Sequence, residues 1–457
     1  MGNKPDRLTF QNRLDEIVTA LRRDIGSGTR RNGDYLPSER MLAEQFQASV
    51  KMVRRALHIL VSDGLVEKVP RVGNRITGAS GRQTASVKLG CYPSVMDNAG
   101  FRELLNRFRQ THPDIRVDTL TVPYVNYKQA IELYMDNDIL DAVTLNGMNF
   151  LEMAEADALE RFEPLSVRAE CYPFLNRAFI RDGLLYAAPF VFSPVVLCYN
   201  KDLFREMRIP EPDSSWTWET LMDVSCKIKR ERDLFGFYAH ISSVNRFPIF
   251  LMQQPFRFDK DDPSAGLDDP RLWESLRRCR EVIYRQGGAP AFLSETDADA
   301  ETVFAQQKAA MIMTTYYSLN QLGRVPFEYD LAPLPHGQLA KTLLLVTGFG
   351  INRGSANKEA ARILVDFLTS ESSQTLMRQH SYDIPAHKLA AEQSGGETLF
   401  RPSRYSMYRE IVPTFGGHED LNLPMDELDT LRNELRMFWA NMEEPEEVVR
   451  RLREAFV

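Results

Sequence analysis

The chain has 457 residues, of which 43% are hydrophobic and 26% charged, which is too long for one ordinary domain and rich enough for two or three folding units with sizeable cores. Five scattered cysteines (Cys91, Cys171, Cys198, Cys226, Cys279) form no C-x-x-C pair, which excludes a disulfide framework in favour of reduced thiols. The net charge of −7 hides an asymmetry, because residues 1–86 carry 15 Lys+Arg against 9 Asp+Glu while the remainder carries 41 against 54.

The N-terminal MGNKPDRLTF has no apolar core for a secretory signal, and Asp6 stands where a myristoylation motif needs Ser or Thr. With no run of about 18 apolar residues to span a membrane, a cytoplasmic protein is expected. From about Asp6 to Gly26, Phe10, Leu14, Ile17, Val18, Leu21 and Ile25 make one amphipathic stripe, which predicts a first helix.

Leu36–Ile76 then reads as two helices, a tight turn between them, and a two-stranded ribbon. Ser38 can cap the first helix, with Met41, Leu42 and Phe46 at helical spacing. Ser49 can cap the second, whose inward face is Val53, Ala56, Leu57, Leu60 and Val61 and whose stop is Gly64. Leu65–Val69 and Asn74–Thr77 pair as strands around a tip carrying Arg71, with Arg75 beyond it. A helix-turn-helix with a basic wing lays its second helix in a DNA major groove, and the local positive balance suits phosphates. Arg40, Ser49, Lys51, Arg54, Arg55, Arg71 and Arg75 are the candidate DNA contacts. Arginine can pair bidentately with guanine, whereas Lys and Ser more often position the backbone.

The LPSER entry, the LAEQF helix, the S-x-x-x-V-R-R-A-L helix and the DGLVEK exit resemble the winged helix of GntR-family bacterial transcriptional regulators over roughly residues 8–78. The resemblance implies an N-terminal winged helix-turn-helix that binds near-palindromic operator DNA as a homodimer. This chain departs from the family at Val50 and Met52 in the second helix and at Arg71 and Val72 in the wing. The fold is implied by the resemblance; the base-reading code is not.

Residues 79–86 are small, polar and aperiodic, a linker. Beyond them the pattern alternates: strand Val87–Tyr92, helix Ala99–Thr111, strand Ile115–Val122, helix Tyr127–Met135, strand Asp141–Leu145. That order predicts a parallel sheet with ligands beyond the carboxyl ends of its strands. Three further stretches carry a second resemblance: DGLLYAAP running through VFSPVVLCYNKDLFREMRIPEP to SSWTWETL, KAAMIMTTYYS leading to APLPHG and VTGFGI, and NKEAARILVDFLTSESS. Together they are similar to the sugar-binding extracellular solute-binding proteins of ABC importers, over most of residues 87–457. This implies a two-lobed α/β domain that closes on a ligand. Carried over by position, the resemblance points to Tyr92, Asn146, Phe190, Ser193, Tyr316, Tyr317, Gly348, Phe349 and Tyr382 as ligand-binding, and to Trp216 and Trp218 as packing residues. A sugar needs aromatic faces and hydrogen-bonding groups together.

No metal-ligand spacing occurs among seven histidines, and no phosphate-binding glycine loop is present, so no catalytic residue, metal or cofactor is expected. GntR-type winged helices also occur fused to pyridoxal-phosphate domains, and Ser355-Ala356-Asn357-Lys358 has S-x-x-K spacing, but these residues simply open the NKEAARILVDFL helix. The sequence reads as a regulator that binds operator DNA and senses a small carbohydrate. The alternative is a transport-associated sugar-binding protein with a degenerate DNA-binding domain.

Overall fold

The computed structural model describes residues 13–14, 17–21, 24–25, 33–62, 64–70, 72–77, 85–284, 294–323, 325–393 and 399–456. Parts of the expected first helix, most of the expected linker, and Arg71 lie outside them. The chain resolves into two compact units. One is residues 1–85 with Asp114–Arg116, and the other holds the rest.

In the first unit, the described residues between 13 and 25 are helical, and Leu14, Ile17, Val18 and Leu21 are buried, as their spacing predicts. Helices α1 (Glu39–Gln45) and α2 (Val50–Ser62) follow, then strands β1 (Val66–Val69) and β2 (Gly73–Ile76), paired antiparallel with Glu67 opposite Arg75. Ser38 Oγ accepts from Met41 N at 3.3 Å and Ser49 Oγ from Met52 N at 3.2 Å, so both expected caps are formed. Gly64, at φ +70°, turns the chain out of α2 while Leu65 N donates to Leu60 O and Gly64 N to Val61 O. This paired closure needs the left-handed conformation that glycine adopts without strain.

Two helical phases differ from the sequence reading. Met41 is 59% exposed, and its place in the core is taken by Ala43 beside Leu42. Val61 is also exposed, while Met52 is buried with Val53, Ala56, Leu57 and Leu60. Met52, a departure from the family pattern, is therefore a core residue rather than a surface one.

The second unit is organised by a ten-stranded sheet. Its strands are β3 (Ala85–Cys91), β4 (Ile115–Thr121), β5 (Ala142–Asn146), β6 (Ala188–Asn200), β7 (Phe235–Tyr238), β8 (Ala309–Thr315), β9 (Tyr329–Ala332), β10 (Thr342–Ile351), β11 (Ile384–Pro385) and β12 (Phe415–Gly416). The main path runs β4-β3-β5-β10-β6-β8-β7, with β9 and β11 paired to β6 and β12 to β10. The expected β-α-β-α-β start is present, with helices α3 (Ala99–Thr111) and α4 (Tyr127–Asp136) between parallel β3, β4 and β5.

Strands β6 and β10 belong to both lobes. β10 pairs with β5 through Thr347–Ile351 and with β6 through Leu344–Phe349, and β6 continues to pair with β8 from Val195 to Tyr199. Every one of the thirteen residues of β6 is buried, so its run of apolar residues lacks the alternation of a strand with one wet face. Where β10 crosses, a bulge falls between Thr347 and Gly348, and a Cβ at Gly348 would lie 2.6 Å from Ala188 O. Glycine is required there by the close approach of the two backbones.

The strand registers fix the direction of each lobe. β5 runs toward Asn146, opposite Thr347, and so toward the crossing. β8 runs antiparallel to β6, from Met311 opposite Tyr199 to Thr315 opposite Val195, and β7 runs parallel to β8. The carboxyl ends of β3 and β5 in one lobe thus face those of β7 and β8 in the other.

The remaining helices used below are α5 (Gly147–Glu155), α6 (Trp218–Arg232), α7 (Phe247–Met252), α8 (Ala298–Ala305) and α9 (Met425–Trp439). Trp218, on α6 behind the Thr217 cap, stacks on Phe250 at 4.4 Å and donates to Gln253 Oε1 at 2.7 Å. Trp216 packs on Phe204 in the same core. Both tryptophans take the packing role expected of them. Cys91, Cys171, Cys198 and Cys279 are buried free thiols, and burial pushes the Cys171 thiol up to about 12. Ser355 donates to Asp141 Oδ1 at 2.5 Å and Lys358 lies 3.6 Å from Glu163, so the S-x-x-K residues hold a helix entry in place.

Candidate functional sites

On the first unit, α2 presents Val50, Lys51, Arg54, Arg55 and His58 outward, with Ser49 exposed at its cap. Arg54 reaches back to α1, where its Nη2 lies 2.7 Å and its Nε 3.1 Å from Glu39 Oε2. The shared hydrogen bond holds the Glu39 carboxyl below its usual range and raises the already high Arg54. Its remaining guanidinium edge is exposed, so Glu39 orients it without enclosing it. Arg75 is braced across the wing by Glu67, with Nε at 2.7 Å from Oε1. Arg40 lies 3.8 Å from Glu44 on the exposed face of α1. The described DNA candidates are thus each exposed, with Arg40, Arg54 and Arg75 paired to a glutamate and Lys51 and Arg55 on the outer face of α2. The Ser49 hydroxyl is engaged by its own helix.

On the second unit, several expected ligand residues are interior. Phe190 and Phe349 pack on each other at 4.9 Å and on Phe101, and with 1% and 0% exposure they have no open face. Ser193 is enclosed and takes a hydrogen bond from Tyr316 N at 2.7 Å, so its hydroxyl stitches β6 to the end of β8. Tyr316 is likewise buried and donates to Tyr405 O at 2.8 Å. Tyr382 donates to Phe400 O at 2.6 Å, and Gly348 serves the strand crossing. These six residues build the hinge and the cores. A platform for a sugar needs a solvent-facing ring or an open donor, and none of them has one.

Three of the expected residues do reach the edge where the lobes face. Tyr92, just past β3, is itself only 2% exposed between the rings of Tyr124 and Tyr127; it donates to Asn149 Oδ1 at 2.5 Å and accepts from Asn146 N at 3.0 Å, locking the ends of β3 and β5 together. Asn146 caps α5 by accepting from Asn149 N at 2.7 Å. Half-buried Tyr317 donates to Val191 O at 3.0 Å and Leu345 O at 3.2 Å, one on each crossing strand.

The sequence reading missed Tyr124. It lies in the loop after β4, stacks on Tyr92 at 5.1 Å and 13°, and is 52% exposed, while Tyr127 stacks on Tyr92 at 4.5 Å. Its hydroxyl meets Ser94 Oγ at 2.6 Å. An aromatic face backed by two further rings, with hydroxyls at its rim, is chemically suited to the C–H face of a sugar. The available signal was V-P-Y directly after a strand of the same parallel set.

A polar cluster on the opposite lobe was also missed. Arg246, 1% exposed, lies 3.6 Å from Asp297 Oδ2, which also accepts from Ser243 Oγ at 3.1 Å. Glu301 on α8 accepts from Thr314 Oγ1 near the end of β8. Burial raises the Glu301 carboxyl and lowers the His240 imidazole. His240 Nδ1, Asp297 Oδ1 and Glu301 Oε2 are buried without a hydrogen-bond partner. Elsewhere in this lobe a cavity of about 370 Å3 is lined by apolar Met252, Pro255, Phe256 and Leu339 together with polar Gln254, Arg257, Lys341 and Asp420. Among the described residues no group of His, Cys, Asp and Glu could hold a metal ion.

The lobes also touch directly. Met148 and Leu151 of α5 pack against the core of the opposite lobe. Glu155, at the end of α5, accepts from Met425 N at 2.9 Å, the first residue of α9. Pro424 gives α9 no side-chain cap of its own, so a carboxylate from the other lobe fills that place. Burial and the neighbouring Asp426 raise the Glu155 carboxyl, against the lowering effect of this hydrogen bond.

Residues 92–375 match the family model of bacterial extracellular solute-binding proteins, and residues 14–76 that of the bacterial regulatory proteins of the gntR family. The galactooligosaccharide-binding protein of Bacillus subtilis is 22% identical over 349 residues, covering 72% of this chain and 80% of its own. Among solved structures, an ABC substrate-binding protein from Listeria monocytogenes in complex with cycloalternan superposes with a TM-score of 0.70 at 20% identity, over 81% of this chain and 98% of that one. Maltose-bound MalE3 of T. maritima gives 0.70 at 18% identity, over 81% and 99%. At these identities the likeness shows the fold, a two-lobed solute-binding architecture. No helix among the described residues is long and apolar enough to cross a membrane.

Proposed function

The chain belongs to the bacterial extracellular solute-binding protein family and carries a gntR-family domain ahead of it, and from that premise we propose that it is a cytoplasmic, homodimeric transcriptional regulator that senses a carbohydrate. The observation that carries the reading is the pairing, in one chain, of an exposed cationic recognition helix with a hinged two-lobed fold. Arg40, Lys51, Arg54, Arg55 and Arg75 contact operator DNA, and so does Arg71. Tyr124 and Ser94 form the aromatic and hydroxyl wall of the sugar site.

Ligand acts by favouring the closed arrangement in which Glu155 meets Met425. Only differential affinity for the two arrangements can shift their balance, and the coupling to DNA is reciprocal. Isothermal titration of maltose, cycloalternan and galacto-oligosaccharides into the full chain, with and without DNA selected by the protein, tests this. The expected result is a sugar affinity that changes when DNA is bound, and equal affinities would rule the coupling out.

A second reading is a sugar-binding protein whose DNA-reading unit is degenerate. It is favoured by Val50 on the outer face of α2 and by the engagement of Arg54 with Glu39. Failure of the full chain to retain any duplex from a random-sequence pool at low salt would select it.

A further inference from the structure

We propose that Val50 reads the C5-methyl group of thymine, so that the recognition helix has an apolar base contact at its tip. The inference rests on the DNA-reading function proposed above and specifies its code. Val50 is the first residue of α2 and is 40% exposed. The Ser49 cap fixes this first turn by accepting from Met52 N. Met52 and Val53 then rotate into the core, which leaves Val50 as the outward apolar side chain of the turn, followed by exposed Lys51, Arg54 and Arg55.

A helix gains nothing from this choice. A β-branched residue at an exposed helical position has lower helix propensity than Ala or Lys, and it leaves an isopropyl group in water. In helix-turn-helix docking the N-terminal residues of the second helix meet base edges in the major groove. There an arginine would present donors to guanine, whereas a branched aliphatic group has no donor to offer. Its match is the methyl group of thymine, the apolar feature of that groove. Arg54, oriented by Glu39, supplies the polar contact one turn later.

The test begins with selection from a random-sequence duplex pool by the full chain and by its Val50→Ala and Val50→Arg variants. Circular dichroism melting confirms that each exposed-site variant folds. Each thymine of the wild-type site is then replaced by deoxyuridine, which lacks only the methyl group. At a single thymine position in each half-site the replacement is expected to weaken wild-type binding about fourfold for each methyl group removed, the value of one buried methyl-sized group. The Val50→Ala protein should not distinguish the two bases, and Val50→Arg should enrich guanine at that position. Wild-type binding that is indifferent to deoxyuridine at every thymine overturns the proposal, as does an unchanged consensus for Val50→Arg. No enrichment by the wild-type chain would overturn the DNA-reading function itself, a distinct outcome.

Discussion

On the winged-helix unit Arg40, Lys51, Arg54, Arg55 and Arg75 all lie on the surface, whereas on the two-lobed unit Phe190, Ser193, Tyr316 and Phe349 are enclosed. Both sets come from motif positions. The difference lies in what surrounds each motif. Helix α2 has one inward stripe, so its remaining positions must face water. Strands β6 and β10 cross the centre of a large sheet with both faces covered, so motif residues there are consumed by packing. Substitutions in the first unit should therefore change binding and leave folding alone, while those in the second should change folding first.

The sharpest way to break that contrast is Trp218→Ala. The side chain is buried, stacked on Phe250 and bonded to Gln253. Its removal should lower stability by about 3–5 kcal/mol, read by denaturant unfolding of the full chain. A loss below about 1 kcal/mol would show a site able to collapse around the missing ring, and would break the contrast.

Asp383 gives the next largest effect. It sits between the Asn98 cap of α3 and Asn320, with amide nitrogens at 2.9 and 2.7 Å, and burial lifts its carboxyl to about 7 against the lowering effect of Asn320, Ser381 and Arg401. With the folded value raised, the native state holds a proton that the unfolded chain has released. Stability from this group is thus fully present below about pH 4 and is lost as pH rises through about 7. The slope should approach about 1.4 kcal/mol per pH unit in that window, and Asp383→Asn should remove this component. An unchanged pH–stability profile in the variant would place the titration elsewhere.

The elements were largely readable because periodicity reports burial directly. Ala99–Thr111 is a helix with the predicted bounds. The failures have local causes. Val61 adjoins buried Leu60 and was assigned to its face, but the helical turn carries it outward and brings Met52 in. Phe190 and Phe349 sit in runs of mostly apolar and small residues without alternation, so no pattern separates core from cleft. Tyr124 follows a strand in an aperiodic loop and becomes a platform only through its stack on Tyr92. Arg246 and Glu301 are far apart in sequence, and only the adjacency of β7 and β8 brings their segments together.

Arg54 tests the surface half of the comparison. Arg54→Ala should weaken duplex binding about 10–100-fold by gel shift, the discrimination typical of a base-edge arginine, with an unchanged melting midpoint. Glu39→Gln should produce a smaller loss, because it frees the guanidinium without removing it. Wild-type affinity in Arg54→Ala would make the Glu39 pair a purely structural tie between α1 and α2.

Glu155 joins the two halves of the comparison, being a charged side chain whose place depends on how the lobes are arranged. Here it accepts from Met425 N of the other lobe, and the expectation under the proposed mechanism is that this contact is kept in the ligand-bound arrangement and lost when the lobes part. Glu155→Ala should cost the closed state about 1 kcal/mol, the usual value of a helix N-cap. A larger radius of gyration in solution scattering should accompany that loss, along with a severalfold weaker response to whichever sugar the titrations identify. DNA affinity in the absence of sugar should move little, since the proposal ties this contact to the ligand-bound arrangement. If scattering and sugar affinity both match wild type, then the packing of Met148 and Leu151 on the opposite lobe is enough to hold closure, and the carboxylate merely satisfies a helix end.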